Sequence, residues 1–324
     1  MKNEILPETN VLLVMPDAED LMFVKQTLLS AFRHYVVTEA ESLSGARWFV
    51  THRKFAVALV DLELGAEAVM DFVRFISRQS SHFDEDESQQ GIPSIVLTGY
   101  ETPSIESCIL ETDIADSLNK FELTPALLHR SIRYAVRDFE RLQALKRLAH
   151  YDPLTGLANR NLLYEHLLYA IERGGRQQEL SAVFFLDLDR FKWINDSFGH
   201  DVGDKVLCEF AWRLKQAIRK SDFAARLGGD EFVIVAENLS SDSVVLVAEK
   251  IIHAMRTPLD IGGNIISLTT SIGITFFPKG AAIESKDRDA VNQVLREADQ
   301  ALYLAKKLGR NRFCLLEDTH LLSV

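Results

Sequence analysis

Two short apolar runs meet at Gly228-Gly229. Phe223-Ala224-Ala225 leads in, and Phe232-Val233-Ile234-Val235 leads out. β-prone runs joined by a glycine pair predict a hairpin, because its turn needs positive φ, which glycine adopts without steric penalty. Asp230 and Glu231 follow at once, so two carboxylates stand at a strand end beside open backbone. On these residues alone, an exposed hairpin with two solvated acids remains an alternative. A second stretch bears on this. Ala182-Val183-Phe184-Phe185-Leu186 is continuously apolar, the pattern of a strand buried on both faces. It runs into Asp187-Leu188-Asp189, whose two acids share a strand face because side chains alternate. Pairing of this strand with the hairpin would bring Asp187 beside Asp230 and Glu231. Clustered carboxylates repel unless a cation neutralises them. Hard oxygen donors suit Mg²⁺, and two such ions can clamp the attacking and leaving oxygens of a phosphoryl transfer.

Longer motifs surround these residues. They include Asp152-Pro153-Leu154-Thr155-Gly156-Leu157-Ala158-Asn159-Arg160, then Asp187-Leu188-Asp189-Arg190-Phe191-Lys192-Trp193-Ile194-Asn195-Asp196 and Gly199-His200-Asp201-Val202-Gly203-Asp204. The signature Gly228 to Phe232 follows, and the run from Ala298 to Asn311 closes the set. Together they resemble the GGDEF domain of diguanylate cyclases across about residues 152–313. The resemblance implies a palm-like α+β fold with an antiparallel sheet. It also implies condensation of two GTP molecules to cyclic di-GMP with release of pyrophosphate, one GTP on each of two facing subunits.

The same resemblance assigns roles. Asp187, the carbonyl of Leu188, Asp230 and Glu231 would hold Mg²⁺ or Mn²⁺. Asp230 would be general base on the 3′-hydroxyl, with Glu231 able to share the role. Metal and carboxylate together lower the proton affinity of a poor nucleophile. Lys192, Lys306 and Arg310 would pair with the phosphates, aided by the backbone of Arg190 and Phe191, with Gly228 and Gly229 leaving room for substrate. Asn195 and Asp204 would read the guanine edge, since adenine lacks the donor pair that a carboxylate accepts. His200 reads as structural. Arg219-Lys220-Ser221-Asp222 matches the family's RxxD site for inhibition by product. There an arginine forks onto phosphate or guanine and an aspartate takes the base N–H pair. A silent cyclic di-GMP sensor using Arg219 and Asp222 is the alternative, against which the intact acids, Asn195, Asp204 and Lys306 argue. A phosphodiesterase would need a hydrolase domain for which the length has no room.

The first part of the chain alternates strand-like runs (11–14, 34–37, 56–60, 94–98) with helix-like ones (19–32, 42–50). That alternation predicts a doubly wound parallel sheet, with sites at the carboxyl ends of strands. Asp61, Thr98 and Lys120 fall there. This part resembles a response-regulator receiver domain, in which Asp61 would accept a phosphoryl group from a histidine kinase, Thr98 would be the switch hydroxyl and Lys120 would pair with the phosphate. The family's acidic, Mg²⁺-holding pair is replaced by Met15 and Pro16, with only Asp17 nearby, and Phe121 stands where proline is common. Without the metal a transferred phosphoryl group is poorly neutralised. A degenerate receiver kept for dimerisation is the alternative. The polar, acidic stretch 80–90 reads as a solvated loop.

Thr124-Pro125 predicts a helix start, with threonine as cap and proline at the first helical position. Leu128, Ile132, Ala135, Phe139, Leu142, Leu145 and Ala149 recur at spacings of three and four. This predicts either a helix packed on its own domain or a stalk pairing two chains, and the charges on its other faces favour the stalk. The expected organisation is receiver-like 1–123, stalk 124–150 and GGDEF 151–324, in a homodimer. Within 151–324, helices are expected over 159–173, 203–219, 242–255 and 289–308, with strands over 182–186, 223–227, 232–236, 267–276 and 312–315. A net charge of −11 argues against nucleic acid as partner. Cys108, Cys208 and Cys314 have no metal-like spacing and read as reduced thiols. No apolar leader or membrane span is evident, so a cytoplasmic protein without a membrane partner is expected.

Overall fold

The computed structural model describes residues 8–31, 34–77, 91–99, 114–177, 180–239, 241–277 and 288–316. The stretch 80–90 and Cys108 lie outside them. The chain divides into two compact units, Met1–Leu145 and Lys146–Val324.

In the first unit, β1 (Thr9–Val14), β2 (Tyr35–Ala40), β3 (Val57–Asp61), β4 (Ser94–Thr98) and β5 (Ile114–Asn119) form one parallel sheet in the order 2-1-3-4-5. That is a doubly wound order, with its switch point between β1 and β3. The central strands read as unbroken apolar runs because both faces are covered. Leu13, Leu59 and Ile95 join one core cluster, while Leu12, Ala58 and Val60 join the other. Helices α1 (Ala18–Ala31), α2 (Leu43–His52) and α3 (Ala66–Ser77) belong to this unit.

A 26-residue helix, α4 (Pro125–His150), follows, and the Thr124 hydroxyl caps it by accepting from Leu127 N at 3.2 Å. Its stripe has two fates. Leu128, Ile132 and Ala135 are buried in the core of the first unit and Phe139 is half-buried, whereas Leu142, Leu145 and Ala149 are exposed, as is Leu148 outside the stripe. A periodic stripe cannot tell a domain core from a helix partner, since both use the same spacing.

The second unit is built on β6 (Ser181–Leu188), β7 (Phe223–Gly228), β8 (Glu231–Ala236), β11 (Thr270–Phe277) and β12 (Phe313–Leu315), in the order β12-β11-β6-β8-β7. Strands β6, β7, β8 and β11 pair antiparallel, as the sequence leads one to expect, and the short edge strand β12 joins β11 in parallel. A separate hairpin pairs β9 (Leu259–Ile261) with β10 (Asn264–Ile266). Around the sheet lie α5 (Arg160–Gln177), α6 (Phe191–Phe198), α7 (His200–Ala217), α8 (Ser241–Met255) and α9 (Arg288–Lys307). Alternation along β6 divides the core. Phe184, Leu186 and Leu188 pack with α7 and α8 residues such as Phe210 and Ile251, while Val183 and Phe185 pack with α5 and α9 residues such as Leu163 and Leu302. Among the described residues, no helix is long and apolar enough to cross a membrane.

Candidate active site

The glycine pair does what the sequence required of it. Gly228 and Gly229 have φ of 140° and 55°, and β7 turns there into β8. Arg226 braces the turn. Its Nε and Nη2 donate to the Gly229 carbonyl at 3.1 and 2.8 Å, and its Nη1 donates to Asp152 at 2.9 Å. Asp152 also accepts from Thr155 N and Oγ1. The Asp-Pro-Leu-Thr stretch is thus fastened to the hairpin, a link the sequence motif does not reveal.

Beside the turn, Asp187 stands directly opposite Glu231 in the β6–β8 register, and Leu188 N donates to the Asp230 carbonyl at 3.3 Å. Lys306, in the last turn of α9, places its Nζ 2.7 Å from Asp187 Oδ2. Burial pushes the Asp187 pKa up to about 6, and the neighbouring Asp230 and Asp189 add to the rise, which Lys306 only partly offsets. Glu231 is raised as well, by burial first and then by Asp230 and Asp299, while Lys306 and Arg160 oppose. Arg160 and Asp299 are therefore part of this electrostatic setting although sequence reasoning gave them no role. Carboxylates held above their ordinary range are short of positive charge, and their oxygen chemistry fits a hard divalent cation. Among the described residues, the group whose ligand atoms lie within 4.8 Å of one another is Asp20, Asp61 and Glu63.

The two residues expected to read the base, Asn195 and Asp204, sit on α6 and α7. Asn195 is half-buried on α6, and Asp204 is exposed on α7. A Cβ added to the intervening Gly203 would fall inside 3.0 Å of Asn195 Oδ1, so the glycine makes room for the amide. Arg190 caps α6 in left-handed geometry (φ 63°), Phe191 is buried and Lys192 is exposed. Arg310 is exposed past the end of α9, also with positive φ (65°). His200 is exposed at the start of α7.

Arg219 and Asp222 close on each other after α7. Arg219 N donates to Asp222 Oδ2 at 2.9 Å, and Asp222 N donates to the Arg219 carbonyl at 3.0 Å. Burial raises the Asp222 pKa against the pull of Arg219 and of Lys250 on α8, so Lys250 joins this setting. The turn lies at the far end of β7 from the glycine pair, about 20 Å away at 3.3 Å per residue.

In the first unit, Asp61 and Thr98 end adjacent strands and Lys120 follows β5. All three are buried. Lys120 Nζ donates to Asp20 at 2.6 Å, Glu63 at 2.8 Å and Asp61 at 3.0 Å. Burial alone would lower its pKa, but these three hydrogen bonds raise it. The sequence left only Asp17 near this pocket. Asp17 instead caps α1, accepting from Glu19 N and Asp20 N, and Asp20 supplies the carboxylate.

The comparisons settle the family of the second unit. The profile described as diguanylate cyclase, GGDEF domain, matches residues 149–312, half of the chain. The chain belongs to the GGDEF family. Diguanylate cyclase TpbB of Pseudomonas aeruginosa is 36% identical over 221 residues, covering 67% of this GGDEF protein and 49% of the relative. Diguanylate cyclase DgcP of the same species is 40% identical over 172 residues, covering 53% and 24%. The chain thus spans half or less of the length of these relatives. The crystal structure of the coiled coil and GGDEF domain of DgcB from Caulobacter crescentus, in complex with c-di-GMP, is 30% identical with a TM-score of 0.52, covering 59% of this GGDEF protein and 97% of that chain.

Proposed function

We propose that the second unit is a diguanylate cyclase, condensing two GTP to cyclic di-GMP and two pyrophosphates across a homodimer. The observation that carries this reading is the arrangement at one end of the sheet. Asp187 faces Glu231, Asp230 adjoins both, and Lys306 reaches Asp187. Asp187, the Leu188 carbonyl, Asp230 and Glu231 would hold Mg²⁺ or Mn²⁺. A bound cation supplies charge neutralisation at the transferred phosphate and acidifies the 3′-hydroxyl. Asp230 accepts the 3′-hydroxyl proton, and Glu231 shares that role. Lys306, drawn from Asp187 when substrate arrives, pairs with the phosphates together with Lys192, Arg310 and the Arg190 and Phe191 backbone. The Asn195 amide accepts from and donates to guanine, and the Asp204 carboxylate accepts from its N1 and amino hydrogens.

Arg219 and Asp222 form the product-feedback site in this reading, opening their mutual turn to admit cyclic di-GMP. The organisation we propose is a receiver-like domain over 1–123, a stalk over 124–150 and the cyclase over 151–324. Exposed Leu142, Leu145 and Leu148 support pairing of the stalk with a second copy, as does the coiled coil in the DgcB structure. Asp61 is the candidate phospho-acceptor for a histidine kinase, with Thr98 and Lys120 beside it. A cytoplasmic location accords with this chemistry, since GTP is a cytoplasmic substrate.

Incubation with GTP and Mg²⁺, with products resolved by chromatography beside Asp230→Ala, tests the reading. Cyclic di-GMP from the wild type alone is expected. No product from protein that binds cyclic di-GMP tightly would replace the cyclase with the silent sensor.

A further inference from the structure

Asp189 has no role in the reading above, yet among the described residues it is the one buried carboxylate of the second unit. It lies just past β6 and turns, like Asp187, to the α9 side. Its Oδ1 accepts from Ser271 Oγ at 2.7 Å. Its Oδ2 accepts from Thr269 Oγ1 at 2.8 Å and from the backbone N–H of Asn311 at 3.0 Å. Its own N–H donates to the Thr269 carbonyl at 2.9 Å. A buried carboxylate with three donors is fixed in place, and it fixes what donates to it.

What it fixes is an unfavourable turn. After α9 the chain passes through Gly309 at φ 115°, then Arg310 at 65° and Asn311 at 48°. Two consecutive non-glycine residues in left-handed geometry persist only where surrounding structure over-determines them. Arg310 N bonds back to the Ala305 carbonyl on one side, and Asp189 captures Asn311 N on the other. The Asn311 Oδ1 is itself buried without a hydrogen-bond partner, a further cost that the turn carries.

We propose that Asp189 is a positioning residue for substrate triphosphate. It acts by holding the Arg310–Asn311 turn against the strand that carries Asp187. The two acids of Asp187-Leu188-Asp189 then divide the work. Asp187 meets the side chain of Lys306, and Asp189 meets the backbone five residues on, so the sequence from Lys306 to Asn311 is pinned at both ends to the end of β6. Arg310 projects from between the pins. The inference rests on the reading of Arg310 as a phosphate ligand.

The test uses binding of GTP and of GMP to the full chain, with Mg²⁺, by titration calorimetry. The variants are Asp189→Asn, Ser271→Ala, Arg310→Ala and the Asp189→Asn/Arg310→Ala pair. Asparagine keeps the size but loses one acceptor oxygen. If charge-assisted bonds hold the turn, Asp189→Asn weakens GTP about tenfold and GMP little. In the Arg310→Ala background the same change then has almost no further effect on GTP, because residues acting as a unit are non-additive. Ser271→Ala, which removes one donor and leaves the carboxylate, gives a smaller loss in the same direction. Arg310→Ala alone reports on the site assignment: an unchanged GTP to GMP preference there overturns the phosphate role of Arg310 and the inference with it. A changed preference in Arg310→Ala overturns the inference alone if Asp189→Asn lowers GTP and GMP affinity equally, or if its effect adds in full to that of Arg310→Ala. Should Asp189→Asn fail to fold, Ser271→Ala and its pair with Arg310→Ala decide between the same outcomes.

Discussion

Gly203→Ala should separate the stability of the second unit from the proposed recognition of the base by Asn195. Gly203 lies inside α7, and alanine there gains about 1 kcal/mol in helix propensity. The new methyl would sit inside 3.0 Å of Asn195 Oδ1, 3.0 Å from its Cγ and 3.4 Å from Phe191 Cζ. The nearest obstacle is the far end of a flexible side chain, so the amide rotates while the backbone stays. An off-rotamer side chain costs about 0.5–1.5 kcal/mol, close to the propensity gain. The melting temperature should therefore change by no more than about 4 °C, the shift that 1 kcal/mol produces in a domain of this size. Base recognition does not benefit from that compensation. Losing two neutral hydrogen bonds of about 1 kcal/mol each weakens GTP roughly 30-fold, with ATP unaffected. Thermal melts beside GTP and ATP titrations measure both quantities, and Asn195→Ala supplies the reference. Wild-type GTP affinity at an unchanged melting temperature would refute the placement of Asn195 at the base. A large fall in melting temperature would refute the claim that the amide, not the helix, gives way.

Two further outcomes concern the fold alone. His166 is buried against Phe223, with ring centroids 4.0 Å apart, and burial followed by Arg173 lowers its pKa to about 4. It is neutral when folded and charges near 6.5 when unfolded, so its contribution is complete above pH 6.5 and is lost as pH falls toward 4. The loss is about 1.4 kcal/mol per pH unit, roughly 3 kcal/mol in all. Urea midpoints at pH 7 and 4.5 should show it in the wild type and not in His166→Phe. Gly273→Ala should destabilise by about 3 kcal/mol or more by the same urea assay. Its Cβ would lie inside 3.0 Å of the Ala298 carbonyl and of Leu302 N and Cα, all backbone atoms of α9. Wild-type stability would show that α9 can withdraw from the sheet.

The chemistry-bearing end of the sheet was legible because its residues are contiguous and their types restrictive. A glycine pair before two acids, and a doubly buried strand ending in Asp187, leave few arrangements. The missing parts depend on partners far apart in sequence. Asp189 finds Thr269, Ser271 and Asn311 at separations of 80 or more residues. Lys120 finds Asp20 at a separation of 100, so the sequence points to Asp17 and not to the acid that serves this pocket. Helix α6 is only eight residues long, too short for periodicity to mark it, and β12 has three residues, too few to fix its direction.

The ion cluster around Lys120 also restricts how this sequence can drift. Three carboxylates share one ammonium, and one of them, Asp61, has no exposure to water. Replacing Lys120 by a neutral residue strands a buried negative charge, whereas replacing Lys120 and Asp61 together by apolar residues of similar volume removes the demand altogether. The constraint is one-sided: replacing Asp61 first leaves Lys120 still paired with Asp20 and Glu63, so the order of exchange decides whether the intermediate carries an unpaired buried charge, and the route through Asp61 is the open one.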